Sequence, residues 1–185
     1  MLFRSTVTLN ITATNATSYL WSNGATTQSI VVSSSGNYSA QVFGTLGCYT
    51  TTNIIAVTIN TPVGNPATFG NNTWNVYAWN NGGASDVGES WNTNYSGYYV
   101  DNNLNFNTQT YWGSNGSPSN ASSYQGCAVG IDNHSWSAKR QGFPCGYYTI
   151  NVTSHDDEAE LHINGMQVWQ HVGCCDSHSS VWTGY

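Results

Sequence analysis

In the first sixty residues, apolar and polar side chains alternate along short runs that turn-forming residues separate. The runs cover residues 18–22, 29–32 and 38–43, and the turns fall at residues 23–24 and 33–37. A strand with one buried face alternates in this way, and this spacing is typical of a small antiparallel sandwich. We therefore predict a β-sandwich module for residues 1–60.

A segment rich in proline and glycine, residues 61–69, follows this first half. It shows no period of helix or strand, so it is predicted to be a linker between domains. Beyond it, residues 74–79 and 95–100 alternate strictly again, and no helical stripe appears. The sequence therefore predicts an all-β chain of two antiparallel β-sandwich modules, the second of which covers residues 70–185.

The clearest local prediction is a hairpin near the end of the chain. Residues 147–153 form an alternating strand, and a second strand over residues 159–163 leads into Asn164-Gly165. Asn-Gly is a strong hairpin signal because both residues tolerate positive φ. A two-residue loop would pair Ile163 with Met166, Leu161 with Val168 and Ala159 with Gln170. The same register places residues 156–157 beside residues 172–178.

Four carboxylates stand within five residues in this region, whereas the chain of 185 residues has only nine. They are Asp156, Asp157, Glu158 and Glu160. Like charges so close destabilise a fold unless water or a cation screens them. Asp156 and Asp157 face a loop that carries Asp176. Calcium binds roughly six to eight oxygen ligands, which these carboxylates and the other oxygen atoms of the two loops would supply. The alternative is a solvated turn that binds no ion.

Composition limits the partners and the compartment. Charged residues make up only 6% of the chain, and the net charge is −6. Three basic residues argue against nucleic acid as a partner, and no apolar run is long enough to insert into a membrane. A composition with so few charged residues is typical of a secreted or cell-surface β-rich protein. The first residues do not form a signal peptide, and the chain stops within a strand pattern, so we expect further domains of a longer parent protein.

Disulfides are expected in such a compartment. Four of the five cysteines lie in the second half and are predicted to pair among themselves, namely Cys127, Cys145, Cys174 and Cys175. Four cysteines allow three pairings, and the sequence does not choose among them. Cys48 is left without a predicted partner.

Two resemblances to known families add to this picture. Trp21 with Gly36-Asn37-Tyr38 resembles the core tryptophan and tyrosine corner of immunoglobulin-like or PKD-like repeats in large bacterial surface proteins. The second half resembles the module shared by protective antigen and the flocculin lectins, through residues 146–150 and the Asp-Asp-to-Asn-Gly hairpin of residues 156–168. That resemblance implies calcium held by Asp156 and Asp157, and a sugar bound through the calcium.

The sequence departs from the lectin pattern in three ways. Glu158 stands where the family has glycine, and Cys174-Cys175 has no counterpart. No asparagine lies in residues 172–185 to complete the calcium ligands, so Asp176 would have to serve. A different set of donors would instead suggest zinc or copper. It comprises His155, His171, Cys174, Cys175, Asp176 and His178.

The sequence contains no nucleophile motif and no pair of carboxylates arranged for sugar hydrolysis, so we expect no catalytic residues. The expected function is calcium-dependent binding of a glycan or polysaccharide, in adhesion or polysaccharide targeting. Trp169, Trp182, His155 and His178 are the predicted ligand-binding residues, and Trp91, Trp136 and Tyr124 are further possible stacking platforms. The alternatives are a structural spacer and an accessory domain of a secreted hydrolase.

Overall fold

The structure, a computed structural model, describes residues 6–80, 94–105 and 107–185. Strands account for 46% of these residues, which confirms the prediction of an all-β chain. The helical part within them is α1 (Thr108–Trp112) and one 3-10 turn (Pro118–Asn120). Neither of these short helices has the length and apolar character needed to cross a bilayer. The chain divides into two compact units, Met1–Thr61 and Pro62–Tyr185.

Seven short strands lie in the described residues of the first unit, 6–61. They are β1 (Val7–Asn10), β2 (Ala16–Trp21), β3 (Ser29–Val32), β4 (Gly36–Tyr38), β5 (Ala40–Gly44), β6 (Tyr49–Thr51) and β7 (Ile55–Val57). All pairings are antiparallel: β1 with β3, β4 with β7, and β5 with both β2 and β6. The alternating runs of the sequence thus become strands with one face towards the core.

The core of the first unit forms around Trp21, whose side chain is only 2% exposed. Its indole N–H donates to the carbonyl oxygen of Thr27 at 2.8 Å, so the polar end of this large side chain is satisfied. The other buried members of the cluster are Leu9, Ile11, Ile30, Val32, Ala40 and Val57.

Nine strands lie in the part of the second unit that the structure describes. They are β8 (Gly70–Asn71), β9 (Trp74–Asn80), β10 (Tyr95–Asp101), β11 (Gln125–Gly126), β12 (His134–Gln141), β13 (Tyr148–Val152), β14 (Ala159–Ile163), β15 (Met166–His171) and β16 (His178–Gly184). The first five form one sheet in the order β11-β10-β9-β12-β8, in which the β8–β12 pair is parallel and the other described pairs are antiparallel. In addition β13 pairs with β16, and β14 pairs with β15.

The central strand β9 is buried on both faces. Val76 is buried with Tyr99 and Ala121 on one side, and Tyr77, 1% exposed, lies in an aromatic layer with Tyr95 and Tyr98 on the other. Residues 62–69, predicted to be a linker, belong to this unit and contact that layer. The Tyr95 hydroxyl donates to the carbonyl oxygen of Val63 at 2.6 Å, and the Tyr77 hydroxyl to that of Thr68 at 2.8 Å.

Each unit contains the same local motif, in which a tyrosine side chain folds back over the glycine two residues before it. The Tyr38 hydroxyl donates to the carbonyl oxygen of Ser34 at 2.9 Å, and the Tyr148 hydroxyl donates to that of Pro144 at 2.6 Å. In each case the ring lies beside the glycine, Gly36 or Gly146. A tyrosine corner makes the same type of bond and fixes the entry of a strand into its sheet.

We expect Tyr38→Phe and Tyr148→Phe each to lower the free energy of unfolding by about 1 kcal/mol, because each removes one hydrogen bond without changing packing. Tyr49→Phe is the control, since its ring packs on Phe43 and its side chain is 58% exposed. Urea denaturation of the three variants checks the prediction. Equal midpoints for all three would show that the corner bonds contribute nothing.

Candidate metal centre

The hairpin β14–β15 forms as predicted at its turn and differs from the prediction farther along. Asn164 and Gly165 have φ values of 51° and 79°, and Ile163 pairs with Met166. The register then shifts by one residue between Leu161 and His162, so that Leu161 pairs with Trp169 rather than with Val168. The predicted pairs Leu161–Val168 and Ala159–Gln170 were therefore wrong, whereas Ile163–Met166 is confirmed.

The shift is a β-bulge with Val168 as the extra residue, and it changes which side chains share a face. Ala159 pairs with His171, which places His171 and Trp169 on the face of Leu161. Gln167 and Gln170 then lie on the opposite face, where the Gln167 amide donates to the Gln170 side chain at 2.7 Å. In a regular strand two residues three apart would point to opposite faces.

Two loops meet at the end of this hairpin that is far from the turn, as the sequence predicts. One loop follows β13 and carries His155, and the other joins β15 to β16. The N–H of Cys175 donates to the carbonyl oxygen of His155 at 2.7 Å, which ties the two loops together. Asp157 and Cys175 adopt positive φ, 57° and 73°, and these turns keep both loops tight.

Three imidazole rings converge where the loops meet. His155 comes from the first loop, His171 is the last residue of β15 and His178 is the first residue of β16. The Nε2 atom of His155 lies 3.3 Å from Nε2 of His178 and 3.1 Å from Nδ1 of His171. Each ring thus presents one nitrogen atom to a common point, and these atoms all lie within 4.8 Å of one another.

The outer nitrogen atoms of two rings face oxygen atoms. Nδ1 of His155 lies 3.0 Å from the carbonyl oxygen of Asp157, and a carbonyl can only accept, so this nitrogen carries the proton. Nε2 of His171 faces the carboxylate of Asp176 at 3.9 Å. The first contact selects the tautomer of His155 whose inner nitrogen, Nε2, keeps its lone pair, whereas the second is longer than a hydrogen bond.

Trp169 forms one side of the cluster. Its ring is stacked with that of His171 at 6.3 Å and tilted against that of His178 at 5.1 Å, and it meets His155 edge-on. All four side chains are only partly buried, and no residue from 130 to 185 is fully buried. The cluster is therefore open to ions and ligands from solution.

The predicted calcium residues lie at the same end but do not converge. Asp156, Asp157 and Asp176 are exposed. The carboxylate of Asp156 lies with the sulfur atoms of Cys174 and Cys175, while Asp157 contacts His155 through its carbonyl. In the described residues, no cluster of three side-chain donors contains two of these aspartates. Calcium prefers oxygen ligands, so the donors that converge here do not suit it, and calcium at Asp156 and Asp157 stays a prediction.

The disulfide prediction holds for Cys174 and Cys175 and is wrong for Cys127 and Cys145. Cys174 and Cys175 are bonded to each other, whereas Cys127 and Cys145 carry thiols, as does Cys48. Burial raises the pKa of the Cys127 thiol, so the reactive thiolate is disfavoured there. The bond between adjacent residues also removes both sulfur atoms from the zinc or copper ligands that the sequence suggested.

Some of the other predicted ligand-binding residues lie in the imidazole cluster and the rest lie elsewhere in the second unit. His155 and His178 lie in the cluster with Trp169, whereas Trp182 pairs with Ile150 farther along β16 and its indole lies over Gly184. Trp136 packs edge-on against Trp112, and the Tyr124 hydroxyl donates to the carbonyl oxygen of Cys127. Trp91 lies outside the described residues.

His171 is missing from the predicted ligand-binding residues. The unbulged register placed it near Glu158, on the face away from Ala159 and Leu161. The sequence analysis named His171 only as a possible zinc or copper ligand, and the signal for it was the number of histidines, because four of the five in the chain lie from residue 155 to residue 178.

Searches against protein-family models, curated proteins and solved structures find no match to this chain.

Alkylation of the denatured but unreduced chain is expected to label Cys48, Cys127 and Cys145 and to leave Cys174 and Cys175 unmodified. The reason is that one disulfide between adjacent residues leaves three thiols. Peptide mass spectrometry before and after reduction measures this directly. A peptide pair joined through Cys127 and Cys145 would contradict the assignment.

Proposed function

We propose that the chain is a non-catalytic binding part of an exported protein, built from two β-sandwich modules. Its first unit would be an immunoglobulin-like spacer, and its second unit would bind a polysaccharide at the loop end of β13–β16. The role would be adhesion or the targeting of an attached enzyme to polysaccharide.

The observation that carries this proposal is the hydrogen bond between the two loops, Cys175 N–H to the carbonyl oxygen of His155. Through it, a chain with only 6% charged residues gathers three histidines, three exposed aspartates and an indole at one end of a hairpin. Aromatic faces pack on sugar C–H groups, while polar side chains bind sugar hydroxyls. Such a surface is suited to binding and has no paired carboxylates in a cleft, so hydrolysis is not proposed.

The lectin resemblance adds calcium at Asp156 and Asp157 as part of the proposal. Both carboxylates are exposed and lie at the same loop end, where an ion could also use backbone carbonyl oxygens and sugar hydroxyls. A spacer function remains the competing outcome, in which the acids are only solvated.

We expect Trp169→Ala to weaken polysaccharide binding by about tenfold, because an aromatic contact contributes about 1.5 kcal/mol. Trp136→Ala is the matched control, since that indole lies on β12 in a different aromatic cluster. Affinity electrophoresis against a panel of soluble polysaccharides measures both. Equal retardation of both variants would exclude Trp169 from the binding surface, and no retardation of the wild-type chain by any polysaccharide would favour the spacer.

The double variant Asp156→Asn/Asp157→Asn tests the calcium part. If calcium bridges the sugar, then chelation and the double variant abolish binding equally, while Asp132→Asn leaves binding unchanged. Binding that persists in chelator would rule out a calcium bridge and keep the polysaccharide function.

A further inference from the structure

We infer that His155, His171 and His178 form a binding site for a divalent transition-metal ion of the zinc class. The site is distinct from the calcium pair and does not depend on the proposed polysaccharide function. The loop after β13, the strand β15 and the strand β16 each supply one of the three ligands. No oxygen ligand from Asp156 or Asp157 is needed.

The spacing of the inner nitrogen atoms matches the proposal. Zinc binds imidazole nitrogen at about 2.0–2.1 Å in tetrahedral geometry, which places neighbouring ligand nitrogens about 3.3 Å apart. The separations from Nε2 of His155 are 3.1 Å to Nδ1 of His171 and 3.3 Å to Nε2 of His178, and all three donor atoms lie within 4.8 Å of one another. Imidazole is a preferred ligand of zinc, copper and nickel, whereas calcium and magnesium prefer oxygen.

The tautomer of His155 suits a metal ligand. Nδ1 of His155 donates to the Asp157 carbonyl, so the neutral ring has a lone pair at Nε2, the nitrogen that faces the other two rings. In the absence of an ion this lone pair can accept a hydrogen bond from Nδ1–H of His171 at 3.1 Å, and a bound metal ion would replace that proton.

The surroundings are those of a metal site. A ligating histidine typically donates its outer N–H to a carbonyl or a carboxylate; His155 makes this bond to the Asp157 carbonyl, and the Asp176 carboxylate lies 3.9 Å from the outer nitrogen of His171. Asp176 is accordingly a positioning residue for His171 and not a fourth ligand. Three protein ligands leave one position of a tetrahedral ion for water or an external ligand. Because the cluster is only partly buried, that position is accessible.

The test is titration of the whole chain with Zn²⁺ by calorimetry, after chelator treatment and alkylation of accessible thiols. We expect one ion per chain. His171→Gln and His178→Gln should each weaken binding by about a hundredfold, and Asp176→Asn by about tenfold, as for a residue that orients a ligand. His162→Gln is the matched control, because His162 is 46% exposed and pairs with Glu160 away from the cluster.

A wild-type measurement keeps the inference testable if a variant fails to fold. Nitrogen-15 spectra of the imidazole side chains should show Zn²⁺-dependent shifts for His155, His171 and His178 and none for His134 or His162. A saturable Zn²⁺ complex that both ligand variants retain would overturn the site. So would imidazole signals that stay unchanged at saturating Zn²⁺.

Discussion

One extra residue, Val168, controls how the end of this molecule is organised. Side chains along a strand alternate between two faces, so a single inserted residue reverses every position beyond it. The bulge moves Trp169 and His171 to the face of Leu161 and Ala159. Without it His171 would lie on the opposite face of β15 from the position in which it meets His155 and His178. The geometry of the imidazole cluster therefore depends on a local irregularity in one hairpin.

The loops supply the third imidazole of the cluster and hold it in position. His155 lies outside any strand, and its position is set by the hydrogen bond from Cys175 and by the contact of its own ring with the Asp157 carbonyl. Residues with positive φ, Asp157 and Cys175, turn each loop tightly enough for these contacts. The strand β16 contributes through a second irregularity near Ser180, whose N–H donates to the Asn151 side chain. Each imidazole is thus held by a different departure from regular β-structure.

The region could hold calcium or an ion of the zinc class, and the chemical type of the donor atoms distinguishes the two. The acids of residues 156–160 suggest a hard cation because they are numerous, but a metal site is defined by donors that converge. In the described structure the converging atoms are nitrogens, while Asp156 lies with a disulfide and Asp176 faces a histidine. Asp156 and Asp157 are exposed to water, which screens their mutual repulsion, whereas Glu158 and Glu160 are partly buried and the Glu160 carboxylate lies 3.3 Å from Nε2 of His162. These acids also make this end of a charge-poor chain negative, which favours the arrival of any cation.

Much of the fold was determined by the sequence alone. Alternation identified β9, β10, β13 and the β14–β15 hairpin, and Asn164-Gly165 identified its turn, because these signals act between residues close in the chain. The meeting of the loops also followed from the hairpin. What only the tertiary structure decided was the register beyond the turn, the bond between Cys174 and Cys175, and the convergence of His155, His171 and His178. A bulge has no reliable mark in the composition of a strand, because its energy depends on what the neighbouring elements pack against it. The nature of the site consequently depended on one residue of register, which local sequence preferences do not specify.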